Sequence, residues 1–342
     1  MPLHFVTPSS RRTLFLLALV CALTATGAVH ARMAKGNRTV RLLLRDGKIL
    51  EGAMAGGSFN LNGTPARPLR PIREDTLLSL HLAGEASPHE TERINAGLAA
   101  IQGTDRKVRD TASAELTDIG LAALTPVLNG YKDRDMREPD ALYRLFGRLV
   151  PGYADTADRT LDLIRLKNGE ALRGRLGAAT LTIQPAGGTA TQVPLSGIRS
   201  IALREARIEK TFDVHALRHC TQIEFLDTGV IIDPASRVEV SATGYVRLAF
   251  ATDGWASDPD GLKVPGPNYK TNLVDGFPFG ALVGRIGAAG PRFMVGQRLD
   301  KTGLGAGRLY LAVNDNGHWQ NNIGSFRVKM RVSEAYDIGD PQ

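Results

Sequence analysis

Residues 313–326, VNDNGHWQNNIGSF, set a short polar loop between two apolar segments that have the character of β-strands. The loop brings one carboxylate, Asp315, and two adjacent amides, Asn321 and Asn322, close together along the chain. Hard cations such as Ca²⁺ take about six to eight oxygen ligands from carboxylates, amides, backbone carbonyls and water. This loop is the strongest functional signal in the sequence, and no enzyme motif competes with it.

The segment that contains this loop, residues 207–342, has a β pattern. Apolar residues alternate with polar or small ones over residues 231–250, and turn residues separate the runs at 242–244 and 257–261. Short alternating runs between regular turn signals are typical of an antiparallel β-sandwich. The sequence therefore predicts a mainly β fold with a C-terminal sandwich.

An internal repeat precedes the sandwich. Residues 42–52, LLLRDGKILEG, match residues 164–174, IRLKNGEALRG. In each copy an apolar strand runs into Asp-Gly or Asn-Gly, which is the strongest short signal for a β-hairpin. We predict two small β units, at residues 32–84 and 156–206.

Between the two copies, residues 85–155 change to a helical period. Apolar residues recur three and four positions apart, as in Ile94, Leu98 and Ile101, which is the spacing of an amphipathic helix. Residues 89–150 weakly resemble a pair of HEAT-like helical hairpins, and a plain helical bundle is an equal alternative. In either case the apolar stripe forms a core, and the insertion is a candidate surface for a protein partner.

The N-terminus has the pattern of an export signal. Arg11 and Arg12 precede an apolar stretch over residues 14–23, and small residues follow it. This stretch is short for a membrane-spanning helix and has the length of a signal core. We expect residues 1–31 to be a cleaved signal peptide and the mature protein to be secreted or periplasmic, with no membrane association after cleavage. An uncleaved single-span anchor is the alternative.

Charge and cysteine content limit the partners. The formal net charge is +7, and removal of Arg11 and Arg12 with the signal leaves +5. The basic residues are spread among acidic ones instead of clustering, so we expect no nucleic-acid partner. Cys220 is then the only cysteine left, so no intramolecular disulfide can form.

Four blocks in the C-terminal part resemble the PA-IL-like galactophilic bacterial lectins. They are GWAS at 254–257, GALVGRIG at 280–287, LYLAVND at 309–315 and NNIGSFRV at 321–328. They stand in the family's order, and the resemblance covers about residues 220–333. It implies a β-sandwich that binds one Ca²⁺ ion and holds galactose through that ion.

The resemblance also implies a set of metal ligands. Side chains would come from Asp315, Asn321 and Asn322, and backbone carbonyls from Asp258 and His318. The loop between Asp315 and Asn321 is one residue shorter than the family pattern. The alternative is that these Asp and Asn side chains only form turns, as such side chains commonly do.

The sugar contacts follow from the same site. A cation with spare coordination positions can take two vicinal hydroxyls directly. The chain has no His or Gln between Asp260 and Gly280, where the family places side chains that hold the sugar. The partner we expect is a galactose-like or other vicinal-diol sugar. The candidate sugar-binding residues are Asp315, Asn316, His318, Asn321 and Asn268.

Other motifs are weaker. His215 and His219 have the spacing of one helix face and, with Cys220, are a second possible metal group. A structural zinc site normally has four ligands, so this trio is more simply incidental. The function we predict is non-catalytic, Ca²⁺-assisted carbohydrate binding. The alternative is a structural or protein-interaction protein whose sandwich has lost sugar binding.

Overall fold

The structure is a computed structural model that describes residues 38–54, 58–62, 70–132, 142, 145–146, 149, 161–176, 180–221, 224–248, 256–263, 273–274, 276–315 and 319–339. Within these residues the chain is mainly β, and its strands pair antiparallel. The predicted fold class is therefore confirmed. No helix in the described ranges is long and apolar enough to cross a membrane.

Where the structure describes it, the repeat region contains ten strands, and the last of them continues into the sandwich. Their bounds are β1 (Thr39–Leu44), β2 (Ile49–Met54), β3 (Ser58–Asn62), β4 (Arg70–Arg73), β5 (Leu77–His81), β6 (Asp162–Leu166), β7 (Ala171–Leu176), β8 (Thr180–Gln184), β9 (Thr191–Pro194) and β10 (Ile198–His215). The predicted hairpins are confirmed, since β1 pairs with β2 across Asp46 and β6 pairs with β7 across Asn168. In both turns the Asx side chain accepts a 3.0 Å hydrogen bond from the backbone amide two residues on.

The two copies of the repeat exchange strands. β1 and β2 of the first copy pair with β10 and β8 of the second. In return β6 and β7 of the second copy pair with β5 and β3 of the first. β5 of the first copy also pairs with β10 of the second, so the strands of both copies belong to one connected set. The buried apolar residues of both copies form one continuous core, so neither copy encloses a core of its own.

β10 belongs to both halves of the molecule. Its first part pairs with β1, as in Leu42 opposite Ile201. Its second part pairs with the last strand of the sandwich, as in Phe212 opposite Val328. The domain boundary predicted between residues 206 and 207 falls inside this unbroken strand, because β-pairing on both sides keeps the backbone extended.

The sandwich contains the remaining strands. Their bounds are β11 (Leu226–Ile232), β12 (Arg237–Arg247), β13 (Ala256–Ser257), β14 (Leu273–Val274), β15 (Phe277–Pro278), β16 (Leu282–Ile286), β17 (Arg292–Met294), β18 (Arg298–Lys301), β19 (Gly307–Val313) and β20 (Ile323–Asp337). One layer has the order β10–β20–β12–β18. The other has the order β11–β19–β16–β17, and β11 also touches the end of β20.

The core of the sandwich lies between these layers. Alternate residues of the first layer point inwards, among them Phe212, Val240 and Phe326, and meet Leu226 and Leu311 of the second. Full burial of such a side chain contributes roughly 1.5–3 kcal/mol relative to exposure. This packed core fixes the strand ends from which the candidate site is built.

The segment between the repeat copies is helical where the structure describes it. It contains α1 (Pro88–Ile101), α2 (Arg106–Ile119), a 3₁₀ turn (Gly120–Ala123) and α3 (Leu124–Lys132). α1 begins with a capping box in which the side chains of Ser87 and Glu90 each accept from the other residue's backbone amide, which satisfies two of the free amides at the start of the helix. α2 begins at Asp105, whose carboxylate accepts from the amide of Val108. Whether these helices are HEAT-like stays a prediction.

The helices contact both β regions. The Glu90 carboxylate binds the guanidinium of Arg199 on β10 with two 2.6 Å contacts, and both side chains are buried. On α2, Ala114 packs against Phe225 and Tyr310 on the outer face of the second layer. α2 is thereby held to the sandwich as well as to its own helical neighbours.

Candidate metal and carbohydrate site at the end of the sandwich

Asp315 is held at the point where β19 ends. Its backbone amide donates to Oγ1 of Thr221 over 2.9 Å, and that hydroxyl donates to the Asp315 carbonyl over 3.0 Å. The amide of Thr221 donates to the carbonyl of Val313. Thr221 thus holds the backbone at Val313 and at Asp315. Asp315 is buried, with 1% of its surface exposed. Thr221 lies 94 residues away along the chain, so no local pattern connects it with Asp315.

Asn322 reaches the same point from the start of β20. Its Nδ2 donates to Oδ2 of Asp315 over 2.6 Å and to the carbonyl of Ala216 over 3.2 Å. Two residues on, Gly324 has a φ of +87°, and a Cβ there would lie 2.5 Å from the carbonyl of Tyr245. Glycine therefore permits the close approach of strands that brings Asn322 to Asp315.

The amide oxygens of Asn321 and Asn322 are buried without hydrogen-bond partners. Neither Oδ1 atom accepts a hydrogen bond from any described group. A buried polar oxygen without a partner is uncommon in folded proteins and calls for an explanation. Asn322 contacts the buried Asp315 carboxylate, and Asn321 is its neighbour in the chain. Carboxylate and amide oxygens are ligands that a hard cation takes. The side chains that the sequence singled out are therefore chemically suited to Ca²⁺.

Asn314 ties the site to the neighbouring loop. Its backbone exchanges hydrogen bonds with residues 280 and 281, each 2.8 Å long. Its side-chain amide donates to the carbonyls of Phe277 and Pro278 over 3.2 Å. Sequence reasoning assigned no role to this residue, although it stands beside Asp315. These contacts of Asn314 hold the adjacent Asp315 in place at the end of the sheet.

Asp258 lies in a turn at the same end of the sandwich. Its carbonyl accepts from Oγ of Ser257 over 2.9 Å and from the amide of Gly261 over 3.0 Å. Its carboxylate accepts from the amide of Asp260 and from Nε2 of Gln297. A metal-ligand role for the Asp258 carbonyl stays a prediction, and it would require the exchange of one of these hydrogen bonds for the ion.

Asn316, His318 and Asn268 lie outside the described residues. Their proposed roles as carbonyl ligand or sugar contacts therefore stay predictions.

The second possible metal group does not assemble in this structure. The amide of His215 donates to Nδ1 of His219 over 3.2 Å, and the two rings are 6.0 Å apart. Cys220 faces the core of the sandwich. Among the described residues no three His, Cys, Asp or Glu side chains come together as a metal would require. Any cation in this part of the chain would have to rely on Asn and backbone oxygens as well.

Comparison with known proteins finds likenesses among solved structures. No family model matches the chain, and no curated protein matches it. A solved structure described as "EclA N-terminal domain; PllA-like lectin" is similar over 38% of this chain and 98% of its own, with 21% sequence identity and a TM-score of 0.29. A likeness at this level carries no argument about function.

Proposed function

We propose that the protein is a non-catalytic carbohydrate-binding protein. In this proposal the end of the C-terminal sandwich holds a Ca²⁺ ion through Asp315, Asn321 and Asn322. The observation that carries the proposal is that the buried amide oxygens of Asn321 and Asn322 have no described partner, while Asn322 contacts the buried Asp315 carboxylate. We also propose export to the periplasm or the exterior, after removal of residues 1–31.

The bound ion would coordinate hydroxyl groups of the sugar directly. Sugars bind weakly to apolar surfaces, because their hydroxyls lose water and must regain hydrogen bonds. Ca²⁺ accepts high and flexible coordination, so two vicinal hydroxyls can replace two waters on it. Asp315 and Asn321 would hold the metal and also orient these hydroxyls, with Asn316, His318 and Asn268 as further contacts.

The rival function, a structural or protein-interaction protein that uses the helical segment, has less support. Ala114 and Asp118 of α2 already contact the sandwich, through the cluster around Tyr310 and a 3.0 Å ion pair with Arg308. A helix engaged within its own molecule has less surface for a partner. We therefore assign the helical segment the role of packing against the sandwich.

Sugar binding that depends on calcium tests the proposal. Calorimetry of the full-length protein with methyl galactoside and methyl mannoside should give dissociation constants of about 0.1–1 mM, or about 4–5.5 kcal/mol. The heat should vanish with EGTA and return with added Ca²⁺. Asp315→Asn should abolish it, because the loop loses its carboxylate at constant volume. Asp46→Asn, in the exposed β1–β2 turn, is the matched control and should bind as the wild type does.

Two outcomes contradict the proposal. Sugar binding that survives EGTA would mean that the ion is not the anchor. If the protein binds calcium but binds neither glycoside and no glycan on a broad array, the structural function would be favoured.

A further inference from the structure

The outer face of the first sandwich layer carries an unusual row of side chains. Thr211 on β10 lies opposite Lys329 on β20, which lies opposite Ser241 on β12, which lies opposite Arg298 on β18. Directly opposed residues on neighbouring antiparallel strands place their side chains on the same face. All four residues are exposed. These four residues, the donor row, present two hydroxyls, an ammonium and a guanidinium across four adjacent strands.

The rows on both sides of the donor row are neutralised by ion pairs. On one side Arg331 contacts Glu209 at 2.9 Å and Glu239 at 3.7 Å. On the other side Arg327 contacts Asp213 at 3.1 Å. The carboxylates of this face therefore already have cationic partners.

The donor row differs from its neighbours, because its groups have no such partners. Within the part of the chain that the structure describes, neither Lys329 nor Arg298 forms an ion pair. The hydroxyls of Thr211 and Ser241 likewise make no hydrogen bond to another described residue. The row is a line of hydrogen-bond donors and positive charge that has no partner among the described residues.

A groove accompanies the row. It has a volume of about 430 Å³ and runs over the backbone of Met330. One wall is formed by Thr211, Lys329 and Ser241, and the other by Glu209, Arg331 and Glu239. A ligand in this groove would meet unpaired donors on one wall and paired charges on the other.

The chemistry of the donor row selects an oxyanion. Sulfate and phosphate oxygens accept charge-assisted hydrogen bonds from ammonium and guanidinium groups, and hydroxyls can add neutral ones. Strands are spaced about 4.8 Å apart, so Lys329 and Arg298, two strands apart, lie about 10 Å from each other. We infer that the donor row binds the sulfate or phosphate groups of an extended anionic polysaccharide that lies across the strands.

The width of the row favours a chain over a membrane. A flat anionic bilayer would meet Glu209, Glu239 and Asp213 as well as the donors, whereas a chain as narrow as one row would not. Nucleic acid is disfavoured because single strands are held by bases stacked on aromatic side chains, and the donor row and its groove contain none. The two-cation row thus fits a linear polymer with separated acidic groups.

Binding of the full-length protein to dextran sulfate, with uncharged dextran as the reference, tests the inference. Lys329→Gln/Arg298→Gln should weaken binding about tenfold or more, and the salt dependence of log Kd should fall by roughly one unit per cation removed. Arg207, on the same face, pairs with Glu209 as Arg327 pairs with Asp213. Arg327→Gln/Arg207→Gln removes the same charge from these paired positions and should change the affinity less than about threefold. The wild-type affinity should be the same with EGTA, because the donor row does not involve the calcium site.

Several results would overturn the inference. Equal losses in the two double variants would mean that only net charge matters. Loss of binding in EGTA would assign the polysaccharide to the end of the sandwich. Tighter binding to phosphatidylserine vesicles or to oligothymidylate than to dextran sulfate, with loss in the row variant, would assign the row to a membrane or to nucleic acid. Absence of wild-type binding at low salt would also refute it.

Discussion

Nδ2 of Asn322 lies 2.6 Å from Oδ2 of Asp315, in a part of the sandwich where both residues are buried. The amide therefore turns its nitrogen towards the carboxylate and leaves its oxygen without a described partner. Because Asp315 follows β19 and Asn322 precedes β20, this contact closes the polar loop at its base. A cation bound there would be held by a rigid frame, which raises affinity in oxygen-ligand sites.

The first prediction concerns the carboxylate. Asp315→Ala should lower calcium affinity by at least about tenfold, since affinity follows the ligand charge count and the rigidity of the site. Titration calorimetry of full-length protein measures it, with thermal denaturation in EGTA to confirm that the variant is folded. Equal calcium heats in variant and wild type, or no heat in the wild type, would exclude Asp315 as a ligand.

The second prediction concerns the close approach at Gly324. Gly324→Ala places a methyl group where the Tyr245 carbonyl lies 2.5 Å away, at a φ of +87°. Gly303→Ala is the matched control, because Gly303 has a φ of +71° and nothing within 4 Å of its Cβ position. Both variants should lose about 1 kcal/mol to backbone strain, and Gly324→Ala should lose a further 1–3 kcal/mol or so to overpacking. Urea denaturation gives both values, and equal losses would show that the strands can separate at no cost.

The third prediction concerns the buried pair of Glu90 and Arg199. Arg199→Met leaves the Glu90 carboxylate without its guanidinium, so the free energy of unfolding should fall by about 3–5 kcal/mol. The double variant Glu90→Leu/Arg199→Met should regain part of that loss, because no buried charge is left unpaired. Arg41→Met breaks the more exposed pair with Glu51 and should cost less than about 1 kcal/mol. If Arg199→Met proved as mild as Arg41→Met, the pair would not hold the helices to β10.

The fourth prediction concerns pH. Burial, together with Arg165 and Arg308, lowers the pKa of His81 from 6.5 to about 3. The unfolded chain takes up a proton near pH 6.5 while the folded imidazole stays neutral, so the stabilisation is complete above that pH. It declines as the pH falls from about 6.5 towards 3, by at most about 1.4 kcal/mol per pH unit.

Urea denaturation at pH 7 and pH 4.5 measures this effect. His81→Gln, which retains a donor for the Ile338 carbonyl, should lose less stability between the two pH values than the wild type. The exposed His89→Gln should follow the wild type. Parallel curves for wild type and His81→Gln would refute the role of His81.

The mainly β class could be predicted from residues alone, because the hairpin signals at Asp46 and Asn168 act locally. The side chain of each accepts from the amide two residues on in the same turn. The exchange of strands between the repeat copies could not be predicted. Because the two copies have the same pattern, β2 could pair with the third strand of either copy. Only the packing of the core determines which pairing forms.

The candidate site, too, could be predicted only in part from the sequence. The spacing of Asp315 and Asn322 predicted that their side chains belong to one polar loop, and the structure places them in contact. Thr221 was not predicted, because its hydroxyl reaches Asp315 through tertiary packing that leaves no pattern in the sequence. His318 and Asn268 stay predictions, since they lie outside the described residues.

The exchanged strands impose an order of events during synthesis. Arg38, just before β1, donates to the carbonyl of Arg204 on β10, although the two residues are 166 positions apart. A ribosome adding roughly 5–20 residues per second needs on the order of ten seconds to bridge that distance. During that interval β1 and β2 have open edges, while α1 to α3 can already form from local contacts. The first hairpin of the nascent chain is therefore prone to aggregation during that interval. A chaperone that binds unpaired strand edges would raise the yield of folded protein.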